Sequence, residues 1–196
     1  MPLCGWVLAA AMVTAAAAQA ETFQTLYTFA GPPDGSFPMG VAFDAEGNLY
    51  GATRDGGLTA GCPVNSAPNK SDGIYRVGCG TVFKLSPGSP WSETVLNSFK
   101  YDGVHGAYPG APLVFHGGAL FGTTEYGGYA NQTVCSNGGC GTVFKVNPAT
   151  KALTTLHTFT GGADSGGPYA GVAFNTTGSL YGTVEGGAGA TNSKAL

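Results

Sequence analysis

Leu49-Tyr50-Gly51-Ala52-Thr53 returns as Leu120-Phe121-Gly122-Thr123-Thr124, and again as Leu180-Tyr181-Gly182-Thr183-Val184. A second string, Gly78-Cys79-Gly80-Thr81-Val82-Phe83-Lys84, returns as Gly139-Cys140-Gly141-Thr142-Val143-Phe144-Lys145. A third, Leu26-Tyr27-Thr28-Phe29, corresponds to Leu96-Asn97-Ser98-Phe99 and to Leu156-His157-Thr158-Phe159. An Asp-containing turn and a Pro follow each copy of the third string: Asp34 and Pro38, Asp102 and Pro109, Asp164 and Pro168. The period is about 60 to 70 residues, longer than the roughly 40–50 of common propeller blades. Self-similarity at such a period marks a repeat architecture, in which one supersecondary unit is copied and stacked.

Each period holds four strand candidates. In the second unit they are Ala111–Phe115, Leu120–Thr124, Thr142–Val146 and Ala152–Phe159, all rich in Val, Phe, Tyr and Thr. Asp44-Ala45-Glu46-Gly47-Asn48, His116-Gly117-Gly118 and Asn175-Thr176-Thr177-Gly178 join the first two strands as tight hairpins, and Asn147-Pro148-Ala149-Thr150 joins the last two. No helical periodicity is present. The expected fold is all-β, built of β-propeller-type four-stranded antiparallel blades. A β-sandwich is the competing fold, but it does not require this repetition.

Two units are complete, at about 40–99 and 110–159, and a third, 170–196, stops where a Gly-Thr-Val-Phe-Lys strand should follow. Phe23–Phe29 reads as the fourth strand of a further blade. The blades are therefore incomplete, about two and a half in number, against at least about four in a closed ring. A fragment of a longer protein, or an open arc closed by self-association through unpaired blade edges, accounts for the shortfall.

The strings Asn48-Leu49-Tyr50-Gly51-Ala52-Thr53, with Gly56-Gly57 after them, and Gly80-Thr81-Val82-Phe83-Lys84 resemble the GloVer-type tandem repeats of secreted bacterial proteins. The resemblance covers nearly all of the chain beyond its first 20 residues. It implies a blade-type fold and an extracytoplasmic compartment rather than an activity. Members of that family are longer, with more copies, and some carry C-terminal anchoring segments. Gly40-Val41-Ala42-Phe43-Asp44 with Gly47-Asn48-Leu49-Tyr50 is also similar to NHL and gluconolactonase-type blades.

Composition limits the function classes. The chain has 34 Gly and 12 Pro in 196 residues, 43% hydrophobic and only 10% charged residues, and a formal net charge of −3. The Gly residues recur at fixed offsets beside aromatic and β-branched residues, as turn and close-packing positions do. No Lys/Arg cluster is present to neutralise phosphates, so no nucleic-acid partner is expected. Residues 5–18 form an apolar run ending in Ala18-Gln19-Ala20, a small-x-small cleavage pattern. Residues 1–20 are thus expected to be a signal peptide cleaved after Ala20, with 21–196 the tandem repeats and no membrane span in the mature chain. The run lacks a preceding Lys or Arg, and an uncleaved anchor is the alternative. The expected location is secreted, periplasmic or cell-surface.

The mature chain keeps Cys62, Cys79, Cys135 and Cys140. Four cysteines allow three pairings in general. Both pairs fall between the second and third strands of a unit, so position in the repeat selects Cys62–Cys79 and Cys135–Cys140 in an oxidising compartment. A metal site is the rival, but no CxxC spacing exists and no His flanks the pairs.

In a propeller, the loops from second to third strand share a face with the blade-to-blade turns. That face is the candidate binding site, with Asp34, Asp102 and Asp164 on its turns and Tyr75, Arg76, Tyr126 and Tyr129 offering aromatic and hydrogen-bonding contacts. Turn chemistry is the simpler account of the Asp residues, as in Asp34-Gly35 and Asp102-Gly103, and ordinary surface that of the tyrosines. No catalytic constellation is present. His105, His116 and His157 are not equivalent in the repeat, Asp44 starts a hairpin, Lys84 and Lys145 lie on strands beside Phe, and no nucleophile elbow, P-loop or HExxH occurs. The expectation is a binding or scaffold module for an extracellular carbohydrate or protein ligand, with no cofactor. Two rivals stay open: a metal-dependent propeller hydrolase or lyase completed by further blades, with a divalent cation, and a purely structural surface array.

Overall fold

The copied strings become the second and third strands of two antiparallel meanders. The computed structural model describes residues 23–62, 77–128, 135, 138–185 and 194–195, and among these it is all-β, without a helix. The first meander has the order β1 (Gly35–Phe43), β2 (Leu49–Gly56), β3 (Thr81–Ser86) and β4 (Ser92–Ser98). The second comprises β5 (Gly106–Pro109), β6 (Val114–His116), β7 (Ala119–Gly127), β8 (Thr142–Val146) and β9 (Leu153–Thr158), in the order β5-β7-β8-β9 with β6 also pairing β7. The expected strand Ala111–Phe115 is thus two strands, and pairing begins earlier, at Gly106. Pro109 and Pro112 lie at the break and cannot donate to a ladder. Unit one shows the milder form, a register shift between Pro38 and Val41 within β1.

The hairpins form as their residues dictate. Asp44 Oδ1 accepts from the amides of Glu46 and Asn48, at 3.0 and 2.8 Å, and Asn175 Oδ1 repeats this with Thr177 and Ser179, at 3.1 and 2.8 Å. Gly117 and Gly118, with φ of 56° and 76°, make the two-residue turn between β6 and β7 that needs a left-handed backbone.

Inside each sheet the repeat is a packing code. Thr53 Oγ1 meets Thr81 Oγ1 at 2.8 Å and donates to the Asp55 carbonyl. Thr124 Oγ1 meets Thr142 Oγ1 at 2.9 Å and donates to the Tyr126 carbonyl. Gly122 is small because Phe144 and Leu113 lie over it: a Cβ there would sit 2.7 Å from Phe144 Cζ and 2.6 Å from Leu113 Cδ2.

The units stack in series. Tyr50, Ala52, Val82 and Leu96 of the first sheet pack with Leu113, Leu120, Phe144 and Val146 of the second. The opposite face of the second sheet, with Val143 and Phe121, packs on Val172, Leu180 and Val184 of the third unit. Backbone bonds join neighbours: the Tyr108 amide donates to the Cys79 carbonyl at 2.8 Å, and the Gly167 amide to the Cys140 carbonyl at 2.9 Å.

The two ends differ from expectation. Phe23–Phe29 is not a strand, because no described strand lies beside it to complete a ladder. It still packs as a fourth strand would. Leu26, Tyr27 and Phe29 cover Leu49, Phe83 and Leu85, and Phe29 meets Phe83 edge-on at 4.8 Å, as Phe99 meets Phe144 at 5.1 Å. The third unit contains β10 (Ala173–Phe174), β11 (Leu180–Tyr181), β12 (Thr183–Val184) and β13 (Lys194–Ala195). The Thr183↔Ala195 pairing puts β13 where β3 stands beside β2, so a short third strand forms before the position at which it was expected. Among the described residues the sheets do not close into a barrel or ring.

Candidate functional site

The second-to-third-strand connections and the unit-to-unit turns meet at one end of the sheets. The Gly57 amide donates to the Asp34 carbonyl at 2.6 Å, and the Gly128 amide to the His105 carbonyl at 2.9 Å, so each connection is tied to a turn. Cys62 and Cys79 are bridged, with Cα atoms 5.6 Å apart, and so are Cys135 and Cys140, at 5.3 Å. Both bridges anchor a connection to the start of a third strand.

At this end, β2 of the first unit and β7 of the second bring equivalent repeat positions together. Arg54 Nη2 lies 2.6 Å from Glu125 Oε2, and Arg54 Nε donates to Glu125 Oε1 at 3.2 Å. The fork is nearly enclosed, and the hydrogen bond and charge of Glu125 raise the Arg54 pKa despite burial. Tyr108 lies over the guanidinium, whose central carbon is 5.6 Å from the ring centroid. Tyr108 holds a left-handed φ of 59°, a costly conformation for a side chain of that size. Its edge-on contact with Tyr126, at 5.9 Å, continues the cluster.

Tyr126 carries it toward solvent. Tyr169 is hydrogen-bonded to the Tyr126 side chain, and that bond together with burial pushes the Tyr169 hydroxyl up to about 12. Burial also raises the hydroxyls of Tyr108 and Tyr101. Tyr101 packs on Gly138, beside the Cys135–Cys140 bridge, where a Cβ would collide with its ring. The result is a platform of phenols, Tyr101, Tyr126 and Tyr169, over the Arg54–Glu125 ion pair. It offers hydrogen bonds and aromatic faces.

The residues singled out from the sequence divide into three groups. Tyr126 is in the cluster. Tyr75, Arg76 and Tyr129 lie outside the described residues, as does the segment 1–20. The three Asp residues sit on the turns of this face and are engaged there. Asp34 accepts from the Tyr27 hydroxyl at 3.0 Å and the Ala30 amide at 2.9 Å; burial and Asp34 push Tyr27 up to about 12. Asp164 repeats this, facing His157 Nε2 at 3.2 Å and the Thr160 amide at 3.1 Å. Asp102 differs: it accepts from the amides of Val104 and His105 and meets His105 Nδ1 at 2.7 Å. Burial opposes its ionisation, but these bonds outweigh it and bring the carboxyl down to about 2. Arg54, Glu125, Tyr101, Tyr108 and Tyr169 were not singled out. Aligning Thr53-Arg54 with Thr124-Glu125 would have placed opposite charges at one repeat position.

Away from this face, an apolar groove of about 210 Å³ between the second sheet and the third unit is lined by Val143, Leu156, Val172 and Leu180, among others. Among the described residues no group of three His, Cys, Asp or Glu is placed to hold a metal ion, and no helix is long and apolar enough to cross a membrane.

Copied antiparallel meanders, stacked face to face with a cross-linked loop end, define a tandem β-sheet repeat protein. A family model described as the Gloeobacter/Verrucomicrobia repeat matches residues 10–195, and the chain belongs to that family. Neither a curated protein nor a solved structure matches it.

Proposed function

We propose that this chain is an extracytoplasmic, propeller-type repeat module that binds a carbohydrate through its cross-linked loop face. The tyrosine platform over the Arg54–Glu125 pair is the observation that carries the reading. Tyr side chains give rigid, amphipathic contact area at low entropic cost. Arg54 and Glu125 engage each other beneath the platform, so its phenol hydroxyls and ring faces are the groups that offer contacts to a polyhydroxylated surface. Loops held by a rigid scaffold are where binding residues concentrate. Two bridged cysteine pairs and the apolar run ending at Ala20 support an oxidising, extracytoplasmic location.

The test is a glycan array with the disulfide-intact chain, followed by titration of any hit against Tyr169→Ala and Tyr126→Ala. Binding weakened at least about 10-fold by both substitutions is the expected result. A protein ligand is the alternative occupant, and capture of a defined extracellular protein through the same tyrosines would replace carbohydrate with that class. Glycan binding indifferent to both substitutions would place the site elsewhere.

A further inference from the structure

Units two and three carry the same five-residue turn with one exchange. Gly106-Ala107-Tyr108-Pro109-Gly110 of unit two corresponds to Ser165-Gly166-Gly167-Pro168-Tyr169 of unit three, so the aromatic ring moves from before the proline to after it. The backbones agree. φ is 59° at Tyr108 and 66° at Gly167, and both amides donate to a cysteine carbonyl of the preceding unit, Cys79 at 2.8 Å and Cys140 at 2.9 Å. Each proline lies on a glycine of that unit: a Cβ at Gly80 would sit 2.6 Å from Pro109 Cδ, and one at Gly141 would sit 2.6 Å from Pro168 Cδ. The exchange changes exposure. Tyr108 is 8% exposed and lies over Arg54, whereas Tyr169 is 45% exposed. Unit two has no room for a side chain after its proline, since a Cβ at Gly110 would sit 2.9 Å from Glu125 Oε1.

Tyr169 is held where it stands. The Gly167 carbonyl accepts from the Tyr169 amide at 2.9 Å and from the Glu185 amide at 3.1 Å, so one peptide fixes both residues. On the other side, the Thr123 hydroxyl donates to the Ala170 carbonyl at 2.9 Å. Gly167 itself adds no side chain: a Cβ there would lie 3.3 Å from Tyr169 Cε2 and 3.8 Å from Glu185 Cβ. The glycine thus leaves a notch with the Tyr169 ring on one side and Glu185, also exposed, on the other.

We infer that the Gly167 notch is the subsite for one neutral pyranose ring, its C–H face on Tyr169 and a pair of its hydroxyls donating to Glu185. This deepens the proposed function and rests on it. The negative face of an aromatic ring attracts the partly positive C–H bonds of a sugar. A carboxylate accepts two hydroxyl hydrogen bonds at once, each strengthened by its charge. The same carboxylate stands against the like charge of a uronate, which makes Glu185 the group that selects neutral sugars. In unit two, the buried Tyr108 ring fills the corresponding place, so the junction of units one and two offers no such subsite.

The test uses two series of matched length on a glycan array, neutral hexose oligosaccharides and oligouronates, with the tightest neutral oligosaccharide then titrated. Three disulfide-intact chains are compared: the unchanged protein, Glu185→Gln, and the exchange variant Gly167→Tyr/Tyr169→Gly, which restores the order of unit two. The exchange is expected to fold. Tyr108 already holds that φ, and without the Tyr169 ring a Cβ at Gly167 meets nothing nearer than Glu185 Cβ, at 3.8 Å. The unchanged chain is expected to prefer the neutral series at least about 10-fold, and Glu185→Gln to narrow that preference at least about 5-fold at low salt. The exchange variant is expected to lose neutral-sugar binding at least about 10-fold with unchanged circular dichroism. Uronates bound as tightly as neutral sugars overturn the inference. So does an exchange variant that binds like the unchanged chain, or a preference that Glu185→Gln leaves intact. If the exchange variant does not fold, the surface substitution Glu185→Gln still decides. Neutral-sugar binding that Tyr126→Ala weakens and the exchange spares overturns this inference and leaves the proposed function standing, whereas binding to no glycan overturns both.

Discussion

Thr53 Oγ1 and Thr81 Oγ1 lie 2.8 Å apart inside the first sheet, and both residues are fully buried. Thr53 also accepts from the Thr81 amide at 3.1 Å, and Thr124 repeats this with Thr142 in the second sheet. The hydroxyls satisfy one another and the backbone where strands two and three part. Removing one hydroxyl strands buried polar groups, at about 1–3 kcal/mol. Thr124→Val is expected to lower stability by that amount in urea unfolding. The double variant Thr124→Val/Thr142→Val is expected to cost less than the sum of the two singles. Additive losses would mean that the hydroxyls are not coupled.

The Arg54–Glu125 pair is expected to act as a unit. Arg54→Ala leaves Glu125 nearly buried beside Tyr108 without its fork. Losing one partner of an enclosed pair costs about 3–5 kcal/mol, and the Arg54 side chain, 23% exposed, places this one at or below the lower end. Arg54→Met/Glu125→Leu is expected to recover most of the loss, measured by thermal unfolding at constant pH. Failure to recover would show that Arg54 matters through its packing on Tyr108 rather than through charge.

Glu93 gives stability a pH dependence. Burial, with the nearby Asp34 charge, raises its carboxyl from 4.5 to about 7, against the opposing pull of Lys151. A pKa raised in the folded state means that the neutral acid is favoured there. Its contribution is therefore full below about 4.5 and lost as pH rises through about 7. Glu93→Gln is expected to match the unchanged chain near pH 4 and to melt at a higher temperature at pH 8. Equal melting temperatures at pH 8 would sink the assignment.

The two bridges are expected to contribute unequally. Cys62–Cys79 spans 17 residues of sequence and Cys135–Cys140 spans 5. Loop-closure entropy gives about 3 kcal/mol for the longer and about 2 kcal/mol for the shorter. Cys62→Ser/Cys79→Ser should thus destabilise more than Cys135→Ser/Cys140→Ser in chemical denaturation. The reverse order would show that the short bridge chiefly holds native packing around Gly138 and Tyr101.

Gly122→Ala tests the packing code. The new methyl would overlap Phe144 and Leu113, both fully enclosed, and overpacking of this kind costs about 1–3 kcal/mol. Pairing it with Phe144→Leu, which clears space over Gly122, is expected to be less costly than the sum of the two single losses.

Whatever depends on short-range rules is legible along the chain. Enrichment in Val, Phe, Tyr and Thr and the copied strings at Leu49, Gly78 and Leu96 set the second, third and fourth strands. Asp44, Asn147, Asn175 and the Gly117-Gly118 pair set the hairpins, since their side-chain and φ preferences act within a few residues. Position in the repeat selected the cysteine pairs. Tertiary structure alone decided how units face each other. Arg54 reaches Glu125 across 71 residues because the stacking of two sheets brings equivalent strand ends within one side-chain length. The same stacking puts Tyr108 over that pair and makes Phe29 a stand-in for a fourth strand against Phe83. Spacing along a chain encodes which face a residue takes on its own strand. It does not encode the twist and distance between sheets, and those fix which faces meet.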